Sequence, residues 1–301
     1  MNAKNVGMIG LGIMGSAMSF NLHRAGFTVS GFDIDARRRS EHRRSGGTVA
    51  RDTAHVARQQ NFVITSLPSS DALMDVAAAF AQAGRKGAIV LETSTLPIPV
   101  KQRAKTMAAR RGVILLDCPL SGTGAQARER DLVVYASGDR RACRQAVPIM
   151  EAIARAHYFV GPFGSGSKMK FIANLLVAVH NVAAAEALVL AMKAGLDPAR
   201  VLEAVGGGAG SSRMLQVRGP AMTRGLYEPA AMKVEVWQKD MQIIADFARE
   251  LRCPTPLFAA AAPVYNAAMA MGFGRQDTAS VCAVLESMAA LRRPVRRRRV
   301  P

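Results

Sequence analysis

Short apolar runs alternate with segments of helical length over the first 160 residues of the chain. The runs that we expect to form strands are residues 5–10, 27–32, 62–66, 88–92, 113–117 and 132–136. Continuous runs of Val, Ile and Leu are typical of strands covered on both faces, and the helical segments between them indicate βαβ units. The pattern therefore predicts a mostly parallel sheet, with strands of mixed orientation near Leu132 and Tyr158 at its edge.

A different pattern begins after Gly166, where long apolar segments replace the alternation. Residues 167–194 are mostly Ala, Leu, Val and Met, which predicts one helix about 42 Å long that is apolar on nearly every side. Such a helix suits a position between domains or subunits. Further helices are expected to start after Asp197, at Pro198, and to occupy residues 239–251, 256–271 and 277–291, with a flexible glycine stretch at residues 206–210.

The change of pattern predicts two domains in a chain of this length. We expect an α/β domain of residues 1–164 and an all-α domain of residues 165–291, joined by the long helix. Residues 292–301 are rich in arginine and are expected to form a disordered basic tail.

The chain carries 40 Lys and Arg against 22 Asp and Glu, and the net charge of +18 raises nucleic acid as a partner. Its two densest basic clusters, residues 37–44 and 292–299, contain no aromatic side chains on which bases could stack. We therefore expect a solvated tail and a surface that attracts small anions, and no specific nucleic-acid site.

Neither a membrane span nor an export signal is expected. No uninterrupted apolar run reaches about 18 residues, and the glycine-rich turn at residue 10 comes too early for a secretory signal. The cysteines have no CxxC spacing and are expected to be reduced thiols rather than disulfide or zinc ligands; they are Cys118, Cys143, Cys253 and Cys282. These features predict a cytoplasmic protein without a bound metal.

A dinucleotide fingerprint follows the first predicted strand. It opens a segment of helical length and consists of Gly10, Leu11, Gly12, Ile13, Met14 and Gly15. Asp33 ends the second predicted strand 18 residues after this G-x-G-x-x-G, where a carboxylate binds the ribose 2′-hydroxyl. The combination predicts a Rossmann-type domain that binds NAD in preference to NADP. Arg37 and Arg38 could reach a 2′-phosphate, so NADP stays open as an alternative.

A lysine is the best candidate for proton transfer. The five histidines lie in arginine-rich, strand-like or helical stretches without a catalytic context. Lys170 and Asn174 are four residues apart near the start of the long apolar helix, so one face of that helix presents both. Loss of hydration there is expected to lower the pKa of Lys170, which suits proton transfer. A lysine that snorkels at a helix start is the structural alternative.

Four motifs follow one another along the chain: the glycine-rich turn, Asp-Cys-Pro-Leu-Ser-Gly at residues 117–122, Gly-x-Gly-x-x-x-Lys-x-x-x-Asn at residues 164–174, and Lys239-Asp240. In these motifs and their order the chain resembles the β-hydroxyacid dehydrogenases, a family that includes 3-hydroxyisobutyrate dehydrogenase and tartronate semialdehyde reductase. The resemblance covers nearly the whole chain. It implies reversible hydride transfer between a nicotinamide cofactor and a small β-hydroxy acid or its semialdehyde. It also implies a C-terminal domain like that of 6-phosphogluconate dehydrogenase and a homodimer or homotetramer.

The resemblance also implies roles for the substrate side of the site. Lys170 would be the catalytic acid/base, Asn174 would hold the substrate and the reacting oxygen, and Asp240 would brace the site. The substrate carboxylate would be bound by backbone N–H groups and hydroxyls of Ser121, Gly122 and Thr123.

On the cofactor side, the resemblance implies contacts beyond the glycine-rich turn. Lys239 would close over cofactor and substrate from the helical domain. The positions that match the cofactor lining after their strands are Leu67, Pro68 and Thr95.

Two departures from the family's pattern bear on the substrate. Thr123 stands where the family usually has a second glycine, and Cys118 replaces a common alanine. Thr123 narrows the carboxylate pocket or adds a hydroxyl donor. It therefore leaves the identity of the substrate open, but not the type of reaction. Cys118 is expected to pack as a small hydrophobe.

Two other functions stay open at this point. One is an NADPH-dependent reductase of small aldehydes or imines, against which Asp33 and Lys170 argue. The other is a non-catalytic cofactor-binding protein that uses its basic surface for nucleic acid, against which Lys170 and Asn174 argue.

Overall fold

The structure, a computed structural model, describes residues 4–293. Its chain divides into two compact units between Ile172 and Ala173, inside one long helix. The boundary expected from the sequence, residue 164, lies at the start of that helix. The two positions differ because Gly166 and Ser167, in the first turn of the helix, donate hydrogen bonds to side chains of the first unit.

The first unit contains short strands and helices in alternation. Its strands are β1 (Asn5–Ile9), β2 (Thr28–Phe32), β3 (Thr48–Val49), β4 (Phe62–Thr65), β5 (Ile89–Glu92), β6 (Ile114–Asp117), β7 (Leu120–Ser121), β8 (Val133–Ala136) and β9 (Ala156–Phe159). Its helices are α1 (Ile13–Arg24), α2 (Ala36–Arg44), α3 (Thr53–Gln59), α4 (Ser70–Ala83), α5 (Ile98–Ala109), α6 (Gly124–Arg128) and α7 (Arg140–Ile153).

Six of these strands form one parallel sheet in the order β3-β2-β1-β4-β5-β6. This is the strand order of the doubly wound dinucleotide-binding fold, which reverses direction between β1 and β4. The predicted parallel α/β domain is confirmed. Since the strands are parallel, the loops that follow β1, β2, β4 and β5 all leave the same edge of the sheet.

Two apolar cores cover the two faces of this sheet. Neighbouring residues of a strand enter different cores: Val90 packs in one, and Leu91 packs in the other. Met8 and Ile9 are divided between the cores in the same way. Burial on both faces explains why the strands are continuous apolar runs and not alternating ones.

The remaining strands form a separate sheet in the order β7-β8-β9, with β7 and β8 antiparallel and β8 and β9 parallel. The expectation of mixed orientation is confirmed, but the expected position at the edge of the main sheet is wrong. The chain pairs with the second sheet from Asp117 onwards, where Asp117 and Ser137 exchange backbone hydrogen bonds and the N–H of Tyr135 donates to the carbonyl of Pro119. An isolated bridge between Asp117 and Ser137 links the two sheets.

The second unit is helical, as predicted. Its helices are α8 (Ser165–Lys193, which begins in the first unit), α9 (Pro198–Gly206), α10 (Arg213–Arg224), α11 (Val234–Glu250), α12 (Pro256–Ala270), a 3₁₀ turn (Thr278–Ser280) and α13 (Val281–Met288). Helix α10 was not expected from the sequence, because Gly219 and Pro220 lie within it. A Cβ atom at Gly219 would lie 2.5 Å from Leu202, so the glycine allows α9 and α10 to approach closely.

Helix α8 is, among the described helices, the one whose length and composition would allow it to cross a membrane. No segment of this kind was expected from the sequence, because that expectation required an uninterrupted apolar run. Isolated polar side chains interrupt the run in α8 without ending the helix. The core helix of a protein outside membranes meets the same criteria, and α8 buries the polar side chains of Asn174 and Asn181. The absence of a membrane span stays a prediction.

The described chain ends inside the stretch that the sequence suggested as a basic tail. The Arg293 guanidinium bonds to Glu286 and donates to the carbonyl of Thr223 at 2.9 Å, so this residue is packed onto the second unit. The rest of the predicted tail, residues 294–301, lies outside the described residues. The four cysteines carry free thiols, and Cys253 is the exposed one.

Candidate active site

The glycine-rich turn joins β1 to α1. Gly10 has a φ of +90°, and a Cβ atom there would lie 2.1 Å from the carbonyl oxygen of Ser66. A Cβ atom at Gly15 would lie 1.9 Å from the carbonyl oxygen of Gly10. The nearest atom to a Cβ at Gly12 would be Arg38 Nη1, at 3.6 Å. The protein's own packing therefore requires the first and third glycines, whereas the second leaves an open surface for a ligand.

The N-terminus of α1 points to the class of that ligand. Gly12 is the N-cap residue and has no side chain with which to cap the helix. The N–H groups of the first turn and the positive end of the helix dipole are therefore available to an anion. The open surface over Gly12 and this uncapped helix end together fit the pyrophosphate of a dinucleotide. Of the residues between the glycines, Leu11 is buried, Met14 is half-buried and Ile13 is exposed.

Asp33 follows β2 and is held beside the glycine-rich turn. Its Oδ2 accepts the N–H of Leu11 at 2.7 Å, and its Oδ1 accepts the N–H of Asp35 at 2.9 Å. Arg38 Nη1 lies 3.4 Å from Asp33 Oδ2. The structure therefore brings the predicted ribose-binding carboxylate next to the predicted phosphate-binding turn, with an arginine beside it.

The other predicted cofactor contacts lie in two loops at the same edge of the sheet. Leu67 and Pro68 follow β4, and Thr95 follows β5. The N–H of Leu67 donates to Ser94 Oγ at 2.8 Å, which ties the two loops together. The fold thus places the glycine-rich turn, Asp33 and both loops along one edge, where doubly wound sheets bind their ligands.

The predicted carboxylate anchor runs from the end of β7 to the start of α6. Gly122 has a φ of +134°, a conformation that favours glycine. Thr123 caps α6 in a reciprocal pair: its N–H donates to Gln126 Oε1 at 3.0 Å, and its Oγ1 accepts the N–H of Gln126 at 3.4 Å. The backbone N–H of Thr123, which the family resemblance assigned to the substrate, is therefore committed to Gln126. The Thr-x-x-Gln spacing of a capping box was the sequence signal for this pair.

Cys118 lies in the same motif but is fully buried. Burial, together with the neighbouring Cys143 and Asp117, raises the pKa of the Cys118 thiol well above its usual range. The thiol is therefore protonated and packs as a small apolar group, as expected.

The predicted catalytic residues lie on α8 one turn apart. Lys170 and Asn174 are both buried. Asn174 Nδ2 donates to Asp240 Oδ2 on α11 at 2.9 Å, and Lys239 Nζ lies 3.6 Å from Asp240 Oδ1. The second unit therefore brings together Asn174, Lys239 and Asp240, which the sequence could relate only through a family motif.

A buried ion cluster below the site was not anticipated. Lys101 of α5 is fully buried, and its Nζ lies 2.6 Å from Glu92 Oε2 and 2.8 Å from Asp117 Oδ1. Glu92 and Asp117 are register partners at the carboxyl ends of β5 and β6. Asp117 was known from the sequence only as the first residue of the substrate motif, and nothing in the spacing of Lys101 indicated that it would be buried.

Two family models match the chain in succession. Residues 5–161 match the NAD binding domain of 6-phosphogluconate dehydrogenase. Residues 164–285 match the model for the NAD-binding region of NADP-dependent 3-hydroxyisobutyrate dehydrogenase.

Individual proteins are similar over nearly the whole chain. An L-threonate dehydrogenase of Cupriavidus necator is 32% identical, with 93% of this chain and 95% of the relative covered. The 2-hydroxy-3-oxopropionate reductase of Escherichia coli is also 32% identical, with 94% and 98% covered. The solved structure of Mycobacterium tuberculosis 3-hydroxyisobutyrate dehydrogenase with L-serine has a TM-score of 0.85 at 27% identity and covers 94% of this chain and 99% of its own.

The fold, the glycine-rich turn and these similarities define an NAD(P)-dependent oxidoreductase that acts on the CH–OH group of hydroxy acids. More particularly, the chain belongs to the β-hydroxyacid dehydrogenase family. The family, the fold class and the nicotinamide cofactor expected from the sequence are thereby confirmed.

Proposed function

We propose that the protein interconverts a small β-hydroxy acid and its semialdehyde, with NAD as the preferred cofactor and Lys170 as the acid/base. The observation that carries this proposal is the placement of Lys170 and Asn174 one turn apart on α8, both buried, with Asn174 held by Asp240. The non-catalytic alternative has no use for this arrangement.

The bound nicotinamide would supply a hydride acceptor or donor at its C4 atom. Residues of the first unit would bind the cofactor: the first turn of α1 would hold the pyrophosphate, and Asp33 would accept hydrogen bonds from the ribose hydroxyls. A carboxylate in this position repels a 2′-phosphate, which supports NAD over NADP.

In the oxidative direction, the neutral amine of Lys170 accepts the proton of the substrate hydroxyl. In the reductive direction, its ammonium donates that proton to the developing alkoxide. The amide of Asn174 binds the reacting oxygen, and the buried environment of both side chains keeps competing water away.

The substrate carboxylate is bound at the loop after β7. Because the N–H of Thr123 is committed to Gln126, Ser121 and Gly122 supply the main donors in our proposal. The two curated relatives are named for L-threonate and 2-hydroxy-3-oxopropionate, which are short acids bearing hydroxyl or carbonyl groups. Such acids of three or four carbons are the substrate class that we propose.

The decisive variant is Lys170→Ala, with Lys168→Ala as its matched control. Lys168 lies in the same helix but is exposed. We expect Lys170→Ala to lower kcat by about 10²- to 10⁴-fold, the usual contribution of a general acid/base, while Lys168→Ala retains the activity. L-threonate, 3-hydroxyisobutyrate and 2-hydroxy-3-oxopropionate, each with NAD(H) and NADP(H), are the substrates to measure.

Cofactor binding is followed separately by NADH fluorescence. It should be unchanged in Lys170→Ala, so that lost turnover is not lost binding. Comparable turnover in Lys170→Ala and wild type would overturn the role of the lysine. No turnover of any of these acids by the wild type would overturn the substrate class.

We also propose that α8 packs against a second copy of the chain in a homodimer. Leu176 and Leu190 on this helix are 46% and 72% exposed, and a second copy of the chain would cover them. Light scattering should give the mass of a dimer or tetramer, and Leu190→Asp should weaken the assembly. Leu257→Asp, at an equally exposed leucine of α12, is the control. A wild-type monomer would contradict the proposal.

A further inference from the structure

We propose that Lys101 is a positioning residue for the reaction. With Glu92 and Asp117 it fixes the first turn of α8, and hence Lys170, relative to the loop that binds the substrate carboxylate. The inference rests on the proposed function, because it assigns to the ion cluster a role in the geometry of that same site.

The electrostatics of the cluster require the lysine. Glu92 and Asp117 are paired in register on neighbouring strands, so their two buried negative charges would repel each other. Lys101 Nζ lies within 2.8 Å of an oxygen of each. Burial by itself would lower the pKa of the Lys101 ammonium, but the two carboxylates outweigh it and raise that pKa. The two carboxylates therefore favour the charged form of the lysine.

Asp117 connects the cluster to α8. Its Oδ2 accepts the N–H of Ser167 at 2.8 Å, and its Oδ1 accepts the Ser167 hydroxyl at 2.8 Å. The Ser137 hydroxyl lies between Asp117 and α8: it donates to Asp117 Oδ2 and accepts the N–H of Gly166. An anion at the first turn also suits the helix dipole. Lys170 comes three residues after Ser167, so the bonds that hold this turn set the position of the Lys170 side chain.

Asp117 is also where the substrate loop begins. Three residues separate it from Ser121, and the first of them, Cys118, donates its N–H to the carbonyl of Glu92 at 2.8 Å. Asp117 therefore stands at the start of the substrate loop, and its carboxylate anchors the start of the catalytic helix.

Glu92 extends the connection to the cofactor side. Its Oε1 accepts the N–H of Ser94 at 2.9 Å, and Ser94 Oγ accepts the N–H of Leu67 at 2.8 Å. The backbone segments of the cofactor loop, the substrate loop and the catalytic helix are therefore all connected to one buried cluster, which consists of two carboxylates and one ammonium.

Stability alone does not explain the cluster. Buried ion pairs lose hydration, and well-packed apolar side chains of similar volume often stabilise a fold as well or better. The cluster's directional bonds instead fix backbone positions that apolar contacts would leave free to shift. A small displacement between Lys170 and the bound hydroxyl group has a large effect on rate, because the reacting atoms must meet in a narrow geometry.

The test variant is the double substitution Glu92→Gln with Lys101→Met, which removes one charge of each sign and keeps the volume of both side chains. Val100→Ala is the matched control, because Val100 is a buried neighbour on α5 that does not belong to the cluster. Ser167→Ala is a milder second variant, which removes the hydroxyl bond to Asp117 and keeps the backbone bond. The measurements are Tm, the Kd of NADH, kcat and KM, and hydrogen exchange of residues 117–123 and 165–172.

We expect kcat to fall at least about tenfold in the double variant and about threefold or more in Ser167→Ala, with the Kd of NADH within a factor of about two. Hydrogen exchange of both segments should become faster in these variants and not in Val100→Ala. Val100→Ala should lower Tm and leave kcat near the wild-type value. If the double variant does not fold, the kcat and hydrogen exchange of Ser167→Ala decide whether the inference holds.

The inference is overturned if kcat and exchange of the two segments stay at wild-type values, or if kcat follows Tm equally in all three variants. Failure of the proposed function is a separate result. In that case Lys170→Ala keeps its turnover, or the wild type oxidises none of the acids, while exchange of the two segments still reports whether the cluster holds them.

Discussion

The side-chain amide of Asn174 donates a hydrogen bond of 2.9 Å to Asp240, across 66 residues of sequence. Both side chains are buried, so the carboxylate fixes the orientation of the amide without competition from water. In the proposed function, Asp240 would orient the amide that binds the reacting oxygen, a bracing role that the family resemblance alone had implied.

Replacing Asp240 by Ala should lower kcat/KM about 10- to 100-fold, because the Asn174 amide is left buried and free to turn. Asp240→Asn retains an oxygen that can accept the bond and should lie between this variant and wild type. Asp246→Ala, at a half-exposed acid on the same helix, should have little effect. Steady-state kinetics distinguish these outcomes; equal activity of Asp240→Ala and wild type would contradict the bracing role.

The second and third glycines of the turn should respond differently to alanine. In Gly15→Ala the new Cβ would lie 1.9 Å from the Gly10 carbonyl, and we expect a loss of about 1–3 kcal/mol in the free energy of unfolding from overpacking. In Gly12→Ala the new Cβ has room in the protein but enters the cofactor surface. The fold should be kept, and the Kd of NADH should rise about tenfold.

Denaturant titration and NADH fluorescence on both variants test this difference. Unchanged cofactor affinity in Gly12→Ala would mean that the open surface over this glycine is not the phosphate site.

Asp33 should decide between the two nicotinamide cofactors. The wild type should have a higher kcat/KM with NAD than with NADP, because the carboxylate accepts bonds from ribose hydroxyls and repels a 2′-phosphate. Asp33→Ser should lower the ratio of the two values about tenfold or more, with Arg38 already 3.4 Å from the original carboxylate. Asp52→Asn, at the N-cap of α3, keeps a side chain that can cap its helix and is the control. A wild-type preference for NADP would refute this assignment.

His42 should make the stability of the protein sensitive to mild acid. Its arginine-rich surroundings in the sequence indicated a surface position, which is wrong. The ring is buried against Gly31 and Gly47, and a Cβ atom added at these glycines would lie 2.6 Å and 2.2 Å from the ring. Burial, followed by the nearby His23, lowers the pKa of His42 below its ordinary value of 6.5.

In the unfolded chain, His42 takes up a proton below about pH 6.5, whereas in the folded protein it does so only at a lower pH. The contribution of neutral His42 to the free energy of unfolding is therefore complete above pH 6.5 and is lost as the pH falls from 6.5 to the lowered pKa of the folded protein. The free energy of unfolding should therefore fall more between pH 7.5 and 5.5 in wild type than in His42→Gln. His55→Gln, at a half-buried histidine, should behave as wild type. An identical fall in wild type and His42→Gln would exclude His42 as the cause.

Local signals in the sequence were sufficient for the fold and for part of the site. The glycine-rich turn and the Lys170–Asn174 pair are short motifs whose spacing matches the element they lie on, and β1, α1 and α8 formed where predicted. The strand of residues 120–121 and helix α10 were missed, because one is two residues long and the other contains glycine and proline.

What could not be predicted depends on partners that the fold supplies. Lys101 is a lysine in a helix whose pattern gives no sign of burial, and its partners lie 9 and 16 residues away on two strands. His42 is buried because two glycines on other segments make room for it. Both cases require the tertiary structure, since the local pattern of charges indicated a solvated surface.

The charge at the centre of the first unit also restricts how this chain can change over evolutionary time. Substitution of Lys101 alone by an apolar residue would leave two buried carboxylates facing each other without a counter-charge, whereas substitution of one acid would leave a balanced pair of Lys101 and the other acid. Lysine at position 101 is therefore expected wherever both acids are present, so that positions 92, 101 and 117 are inherited as a set. Among homologous chains, that set would mark the lineage in which the substrate loop and the catalytic helix share one anchor.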